Sequence, residues 1–457
     1  MGEMPTPNGS NERLGDEFTI KDVAVENMRP LRVIVVGAGF SGILAAIRIP
    51  ERLRNVELVV YEKSERVGGV WWLNKYPGVA CDIPSHSYQY SFAPNPNWSN
   101  LYAPGSEIQQ YLEDVAERFG AMRFIKTRHQ VEHCAWDDVS KKWNVRVTNL
   151  ATGEAIEDSA NVLVTARGQL NDMSWPDIPG LGTFQGKLMH SGDWDTSYDF
   201  RNKRIGIIGN GSSAIQIIPS LQKVEGAQLT CFMRSPTWIS SAFGDQGMIE
   251  LGMDPANTAS PPPFAVLGRG GLPLAERWAG RAESYLSVAV DGFPNMLIMF
   301  GPNSAIGFGS LTRILEAEAD YILAVLRKLQ REDYASAEPR PERVRDFMEY
   351  VDAYFRDTVY MDDCRSWYRR GDKVVGLWPG STLHALEALR APRWEDWVYE
   401  PVDDAGRRNG LRWLGNGRSV TQVEGDPSWY INPDEVQVPL EGRPEENARF
   451  KARPWCY

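Results

Sequence analysis

Residues 31–50 read LRVIVVGAGFSGILAAIRIP, and this stretch decides the fold class. Its first six residues, Leu31 to Val36, form a short apolar run suited to a strand buried on both faces. The run enters Gly37, Gly39 and Gly42 at the spacing G-x-G-x-x-G, and apolar residues at helical spacing follow. The first glycine serves a tight turn, the second lets backbone approach a diphosphate, and the third lets the helix pack close to the strand. A diphosphate placed there meets the unpaired amides and positive dipole end of that helix. A second strand, ELVVYEK, reaches Glu62, where a carboxylate can accept hydrogen bonds from ribose hydroxyls. Strand, glycine loop, helix, second strand and acid in register predict a dinucleotide-binding βαβ unit.

The pattern then returns. KRIGII leads into GNGSSA, which places Gly209, Gly211 and Ala214 at the three small-residue positions, before a helix and the strand LTCFMRS. Glu62 stands 25 residues after Gly37, and Arg234 stands 25 residues after Gly209. One position thus carries opposite charge in the two copies. A carboxylate suits a free ribose, whereas a guanidinium pairs with a 2′-phosphate. The first unit therefore fits FAD and the second NADPH; a solvated strand-end arginine is the alternative for Arg234.

The bulk numbers exclude other classes. A chain of 457 residues has room for two to three domains. Its 42% apolar and 24% charged residues are ordinary for a globular protein. A net charge of -11 argues against nucleic acid and anionic membrane as partners. Five scattered cysteines (Cys81, Cys134, Cys231, Cys364, Cys456), with no CxxC pair, predict reduced thiols in a cytoplasmic protein and neither disulfides nor a zinc site. His129 and His133 are four apart but lie in a strand-like stretch, so no metal is expected there. The polar N-terminus has no apolar signal region. Gly2 and Thr6 meet a loose myristoylation pattern, but Glu3, Pro5 and the lack of a basic patch favour a plain leader. No run approaches 18 apolar residues, so no span of a membrane is expected.

Further segments carry a resemblance. RVGGVWWLNKYPGVACDIPSHSYQYSF follows Glu62, and FQGKLMHSGDWD places Phe184, Gly186, His190, Trp194 and Asp195 in the pattern F-x-G-x-x-x-H-x-x-x-W-D. With GFPNMLIMFGPNS, CRSWYRRG and LWPGSTLHALEALRAPRWEDW, these resemble the flavin-containing Baeyer–Villiger monooxygenases, especially their fungal secondary-metabolism branch. The resemblance covers most of residues 31–400. It implies an FAD enzyme that is reduced by NADPH, activates O2, and inserts oxygen into a hydrophobic ketone or polyketide-like natural product, or oxygenates a soft heteroatom. It implies FAD contacts at Gly37, Gly39, Phe40, Ser41, Gly42, Glu62 and Lys63, and along the flavin-side loop at Gly69, Val70, Trp71, Tyr76, Asp82 and Tyr88. For NADPH it implies Gly209, Gly211, Ser212, Ser213 and Arg234. Asp82, His190 and Trp367 are its catalytic candidates, with a turn carboxylate, a hinge histidine and a core aromatic as the alternatives. Asn303 and Ser304, in GPNSAIGFGS before a long helix, would face the flavin with helix-terminal amides; an ordinary loop is the other reading.

The sequence also departs from that family. After FMRSPTWIS the family continues with a helical insertion, a segment holding a catalytic arginine, and a strand ending in an Ala-Thr-Gly-type motif. Here residues 233–260 run almost directly into PPPFAVLGRGGLPLAERW, so more than about a hundred residues, a small domain, are missing. Arg269 is near in sequence but belongs to a different motif. Arg167 stands where a threonine is usual, and Phe308 where histidine is common. A natural remodelling and a truncated gene product both fit. The shortened second domain should leave sheet edges to be covered some other way.

These readings predict a doubly wound α/β fold with two Rossmann-like dinucleotide-binding domains, the second inserted in the first and reduced in size. The expected boundaries are a disordered leader at 1–30, the FAD domain at 31–175 and 285–400, a truncated NADPH domain at 176–245, a linker at 246–284, and a wrapping tail at 401–457. Aromatic clusters in the tail fit docking onto the body or onto a second copy of the chain, which leaves room for a homo-oligomer. The leading function is a Baeyer–Villiger-type monooxygenase acting on a small hydrophobic substrate with O2. A flavin-binding pseudo-oxygenase, acting as a non-redox cyclase, isomerase or partner subunit, is the alternative.

Overall fold

The computed structural model describes residues 18–170, 173–233, 262–306, 309–362 and 368–424. The run read first is a strand, β1 (Leu31–Val36), and the glycine loop leads into α1 (Phe40–Arg52). The chain returns as β2 (Val56–Tyr61), parallel to β1 from Leu31 opposite Val56 to Val36 opposite Tyr61. A short helix, α2 (Val70–Leu73), and a longer one, α3 (Gly105–Arg118), lead to β3 (Ile125–Lys126), which pairs with the far edge of β2. Three antiparallel strands follow as a meander: β4 (His129–Asp137), β5 (Lys142–Asn149) and β6 (Ala155–Ala160). The chain then re-enters the first sheet as β7 (Val162–Thr165), parallel to β1 on its other side.

The second glycine unit comes next, with β8 (Arg204–Ile208), α4 (Ser212–Leu221) and β9 (Gln228–Phe232), the strands again parallel. Beyond it β10 (Ala265–Leu267) joins the edge of β4, and α5 (Leu274–Arg277) follows. Strand β11 (Met296–Ile298) completes the first sheet, giving the order β11-β7-β1-β2-β3. The long helix α6 (Leu311–Arg331) and α7 (Pro341–Phe355) flank β12 (Tyr334–Pro339). A small hairpin of β13 (Arg369–Arg370) and β14 (Lys373–Val374) precedes α8 (Thr382–Ala388) and β15 (Trp397–Pro401), which pairs antiparallel with β12.

Side-chain alternation explains the layers. Leu31, Val33 and Val35 of β1 enter one core with α1, α3 and α6, while Ile34 and Val36 enter a second core with the meander. Leu297 of β11 points to the helical core, and its neighbours Met296 and Ile298 point to the meander core. The continuous apolar run therefore reads as a strand covered on both faces. The pattern differs in β8 and β9, where exposed and half-buried residues alternate. Ile208 and Phe232, opposite one another in register, are 62% and 57% exposed. Among the described residues the second sheet has two strands only, which fits a reduced second domain.

Two expected boundaries differ. The described part of the linker, 262–284, is built into the fold: β10 extends the meander sheet, and Leu274, Trp278 and Ala282 enter its core. The leader is placed from residue 18. Arg29 donates to the Leu329 carbonyl at 3.1 Å, and residues 18–27 form a small separate unit with 403–424. In that unit the Val25 amide donates to Arg418 at 2.8 Å and the Asn416 amide to Val23 at 2.8 Å. Two short helices, α9 (Asp404–Arg408) and α10 (Val420–Glu424), belong to it. No described helix is long and apolar enough to cross a membrane.

The turn joining β1 to α1 is packed without slack. A Cβ on Gly42 would lie 1.8 Å from the Gly37 carbonyl oxygen, which backbone must vacate. Gly42→Ala should therefore destabilise the protein by more than about 3 kcal/mol and strip bound flavin. Thermal denaturation with flavin content measured alongside is the check, and a variant that melts like the parent with full flavin would refute this packing account.

Candidate functional site

The first glycine loop is fixed from three directions. Gly37 adopts φ +102°, its amide donates to the Tyr61 carbonyl at 2.8 Å, and a Cβ there would meet the Ala166 carbonyl oxygen at 2.7 Å. The loop thus sits where β1, β2 and the end of β7 converge. Glu62, buried after β2, accepts the Ala38 amide on one carboxylate oxygen and the Ser64 amide on the other, both at 2.7 Å. It ties the glycine loop to the 63–69 loop. The Gly68 amide donates to the Ala38 carbonyl at 2.9 Å, and a Cβ on Gly69 would stand 3.0 Å from the Gly39 Cα. The two loops thus pack backbone against backbone at Gly39 and Gly69, an approach that side chains would prevent.

This surface suits the adenosine diphosphate half of FAD. Helix α1 begins after Gly39 with no side-chain cap, so its first-turn amides remain available for diphosphate oxygens. Gly37, Gly39, Phe40, Gly69, Val70 and Trp71 are half-buried, and they form the accessible face. Ser41 and Gly42 are buried within the fold, while Lys63 is exposed. Each Glu62 oxygen has one of its two lone-pair sites taken by an amide, which leaves capacity for ribose hydroxyls.

The flavin-side loop presents aromatic walls. Tyr88 meets Phe40 and Trp71 edge-on, with ring centroids 5.0 and 5.5 Å apart, and accepts the Trp71 indole N–H at 3.3 Å. Tyr90 donates its hydroxyl to the Phe40 carbonyl at 2.6 Å. Asp82 acts electrostatically on both Tyr76 and Tyr88, and burial shifts its own carboxyl upward from the ordinary value. Tyr76, expected at FAD, turns elsewhere: its ring packs with Ile217 and Leu221, and its hydroxyl reaches Gln216 of α4 at 3.1 Å.

At the second loop Gly209 adopts φ +114°, and α4 starts after Gly211, again without a side-chain cap. Gly209, Gly211, Ser212 and Ser213 are half-buried. Arg234, Trp367 and Phe308 lie outside the described residues. His190 sits in the linker before β8. Its Nδ1 accepts the Gly192 amide at 3.0 Å, and its ring meets Trp175 at 5.4 Å. Asp195 of the same segment is pulled down to about 2, chiefly by the hydrogen bond from Lys187 at 2.6 Å and then by Ser197.

The 300–304 loop is a buried polar clamp. Phe300 and Asn303 hold positive φ, +62° and +61°, which costs about 1–2 kcal/mol each for residues with a Cβ. Neighbouring side chains impose that course. Glu318 of α6 accepts the Phe300 amide at 2.8 Å, and Gln169 donates to the Phe300 and Gly301 carbonyls at 2.8 and 2.7 Å. Asn303 donates to the Val374 and Leu377 carbonyls, both at 3.1 Å. Asn303 and Ser304 are fully buried by protein, so their side chains shape the loop and do not face a cofactor. Beside this loop, at the carboxyl ends of β7 and β11, lies a shallow cleft with a cavity volume of about 30 Å³. Arg167, Gln169, Trp278, Met299, Phe300 and Pro302 are among its walls. Open α/β sheets bind ligands at such strand ends.

Arg269 is committed elsewhere. It pairs with Asp138 at 3.1 Å, Glu338 at 2.6 Å and Glu400 at 3.0 Å, and so locks β10 to the meander and to the β12–β15 ribbon.

Three residues of this neighbourhood belong to no motif of the sequence: Gln169, Gln216 and Glu318. Glu318 carried a signal, because it interrupts the buried stripe Ile314, Leu315, Ala319, Ile322 and Leu326. A carboxyl at core spacing is a buried ionisable group unless the helix turns. Gln216 similarly interrupts the apolar run of α4.

The comparisons with known proteins agree with this geometry. The family model described as flavin-binding monooxygenase-like matches residues 30–250. A Baeyer–Villiger monooxygenase of Streptomyces coelicolor is 30% identical over 79% of this chain and 91% of its own length. An FAD-binding monooxygenase of Aspergillus terreus is 29% identical, covering 88% of this chain and 95% of the relative. That alignment runs over 538 residues against a chain of 457, so the relative carries segments this chain lacks. Among solved structures, an oxidised steroid monooxygenase bound to NADP superposes with a TM-score of 0.69 at 23% identity, over 82% of this chain and all of that one.

Burial lifts the Glu318 carboxyl from an ordinary 4.5 to about 8, against the smaller opposing pull of the Phe300 amide. The folded chain then holds a proton that the unfolded chain releases above 4.5, so this contribution to stability is full below 4.5 and is lost as pH rises through about 8. Glu318→Gln keeps an acceptor for Phe300 and removes the titration. It should melt a few degrees above the parent at pH 8, with the gain vanishing near pH 4.5. A gain independent of pH would disprove the assignment.

Proposed function

This chain belongs to the flavin-binding monooxygenases of Baeyer–Villiger type, and from that premise we propose that it uses FAD and NADPH to insert one oxygen atom of O2 into a hydrophobic ketone. The observation that carries the reading is the uncapped start of α1 at the glycine loop, beside the buried Glu62 that ties this loop to residues 63–69. Bound FAD, once reduced by NADPH, supplies the oxygen-activating chemistry.

The chain's own residues then have distinct tasks. The first-turn amides of α1 hold the FAD diphosphate, and Glu62 holds its ribose while keeping the two loops together. Phe40, Trp71 and Tyr88 wall the flavin side and limit water. Asp82, whose carboxyl is shifted upward by burial, is the acidic group of the flavin-side loop. Gly211 and Ser212, at the start of α4, take the NADPH diphosphate, and Arg234 takes its 2′-phosphate. His190 acts through the linker it braces. Trp278, Met296, Ile298 and Met299 give this strand-end edge an apolar surface, in keeping with a hydrophobic substrate.

A second reading is favoured by one observation. The segment that carries the family's catalytic arginine is missing, and Arg269, bound to three carboxylates, is not free to replace it. Oxygenation of a soft heteroatom, or binding without redox turnover, asks less of such a cation.

The purified protein should show a flavin spectrum that NADPH bleaches without oxygen, and aerobic NADPH consumption should rise with hydrophobic ketones. Bound FAD that NADPH leaves oxidised would overturn the monooxygenase reading, and turnover confined to thioethers would move it to heteroatom oxygenation. Arg234→Ala should raise KM for NADPH by about tenfold or more, as loss of a charge-assisted phosphate pair costs about 1.5–3 kcal/mol. Use of NADH should change little, and equal losses for both nucleotides would remove Arg234 from the 2′-phosphate.

A further inference from the structure

The helix that opens at the second glycine loop does more than carry that loop. One turn after Ser212, Gln216 turns its amide toward the flavin-side loop and pairs with the Ala80 peptide in both directions. Its Nε2 donates to the Ala80 carbonyl at 3.0 Å, and its Oε1 accepts the Ala80 amide at 3.3 Å. The same Oε1 accepts the Tyr76 hydroxyl at 3.1 Å. Ser213, in the first turn of α4, lies near enough to that hydroxyl to lower its pKa against the larger upward push of burial. Gln216 therefore links α4 to both Tyr76 and Ala80, and Ala80 lies two residues from Asp82.

Backbone packing makes this a close fit. Gly78 adopts φ +84°, and a Cβ there would stand 2.6 Å from the Gln216 carbonyl oxygen and 2.5 Å from the Ser220 hydroxyl. Loop and helix touch without a side chain between them. Around the contact, Tyr76, Ile217 and Leu221 form a small core of their own, with Val79, Trp194 and Phe200 packed against it. From its other side the loop is held by the Cys81 amide to Ala103 and the Gly105 amide to Val79, both at 2.9 Å. A shift of α4 must therefore move the loop relative to α3 or break these bonds.

We propose that Gln216 is a positioning residue that couples nucleotide occupancy at the start of α4 to the setting of the 76–82 loop, and through it to Asp82 and the flavin. The inference rests on the two-nucleotide reading above. NADPH drawing on Ser212 and Ser213 pulls α4 along its axis, and the Gln216–Ala80 pair carries that displacement to the loop. Coupling of this kind is reciprocal, so NADP+ should tighten FAD as much as FAD tightens NADP+.

The test uses the oxidised holoenzyme and needs no turnover. NADP+ titrated into the parent protein should perturb the flavin absorbance spectrum and slow FAD release. Gln216→Leu, loaded with FAD to the same extent, should lose most of the perturbation, bind NADP+ about tenfold more weakly, and release FAD at a rate indifferent to NADP+. Gln216→Glu retains the acceptor for Ala80 and Tyr76 but loses the donor, and should recover part of the effect. Gly78→Ala, which pushes the loop off α4 with Gln216 intact, should reproduce the leucine phenotype and keeps the proposal testable should the leucine variant fail to fold. A Gln216→Leu protein with the parent's difference spectrum and NADP+ affinity would overturn the coupling alone. A parent protein whose flavin spectrum ignores NADP+ would instead overturn the two-nucleotide reading and the coupling with it.

Discussion

The contact on which the cofactor face depends is the approach of α1 to the turn between β1 and itself, with the end of β7 behind. Gly42 sits against the Gly37 carbonyl, and Gly37 sits against Ala166. Any Cβ in this triangle would separate helix, turn and strand. Because they touch, the first-turn amides of α1 are held at the sheet's carboxyl edge, where an anion can use them. Glu62 then extends the arrangement to the 63–69 loop through two backbone amides. A carboxylate that bridges two loops serves geometry first, and a ribose inherits a site whose shape is already set.

A similar economy governs the 300–304 loop. Two residues with side chains sit in the left-handed region there, and Glu318, Gln169 and Asn303 supply the bonds that hold them. Some polar capacity is left over: Glu318 Oε1, Gln169 Oε1 and Asn303 Oδ1 are buried without a partner among the described residues. Buried polar atoms of this sort are commonly met by internal water. The clamp lies directly behind the cleft, since Phe300, Gly301 and Pro302 belong to both. Changes to it would reach the cleft through backbone, not through direct contact.

Much of this was legible in the sequence because it depends on local spacing. The run 31–36 could be read as doubly covered, and the glycines as a turn, since both follow from one segment and its neighbours. What was not legible depends on pairings distant in sequence. Tyr76 lies within a flavin-side loop and was assigned to FAD; its choice of α4 follows from Gln216, 140 residues away. Asn303 and Ser304 were placed at the flavin because a glycine-rich loop precedes a helix, yet their burial depends on residues near 374–377 and on Gln169. Residues 262–284 read as linker by composition, whereas β10 gains its place from β4. Local composition does not record which sheet edge is open.

The shortened second unit bears on chemistry through water and charge. With one sheet face exposed at Ile208 and Phe232, the described part of that unit joins the first through α4 and its small core around Tyr76. The cleft must then be kept dry by the walls it has, which are mostly apolar, with Arg167 as the charged side chain among them. Arg269 could not be recruited without leaving Asp138 and Glu338 uncompensated, and the ribbon that β12 and β15 form would keep only the Lys141–Glu400 pair of these ties to the meander. Charge developing on a ketone adduct needs a fixed cation within a few ångströms, whereas oxygen transfer to sulfur develops less charge on the substrate. The remaining walls thus set an order of difficulty among substrates: the more negative charge a reaction places on the substrate, the more it must rely on groups already lining the cleft.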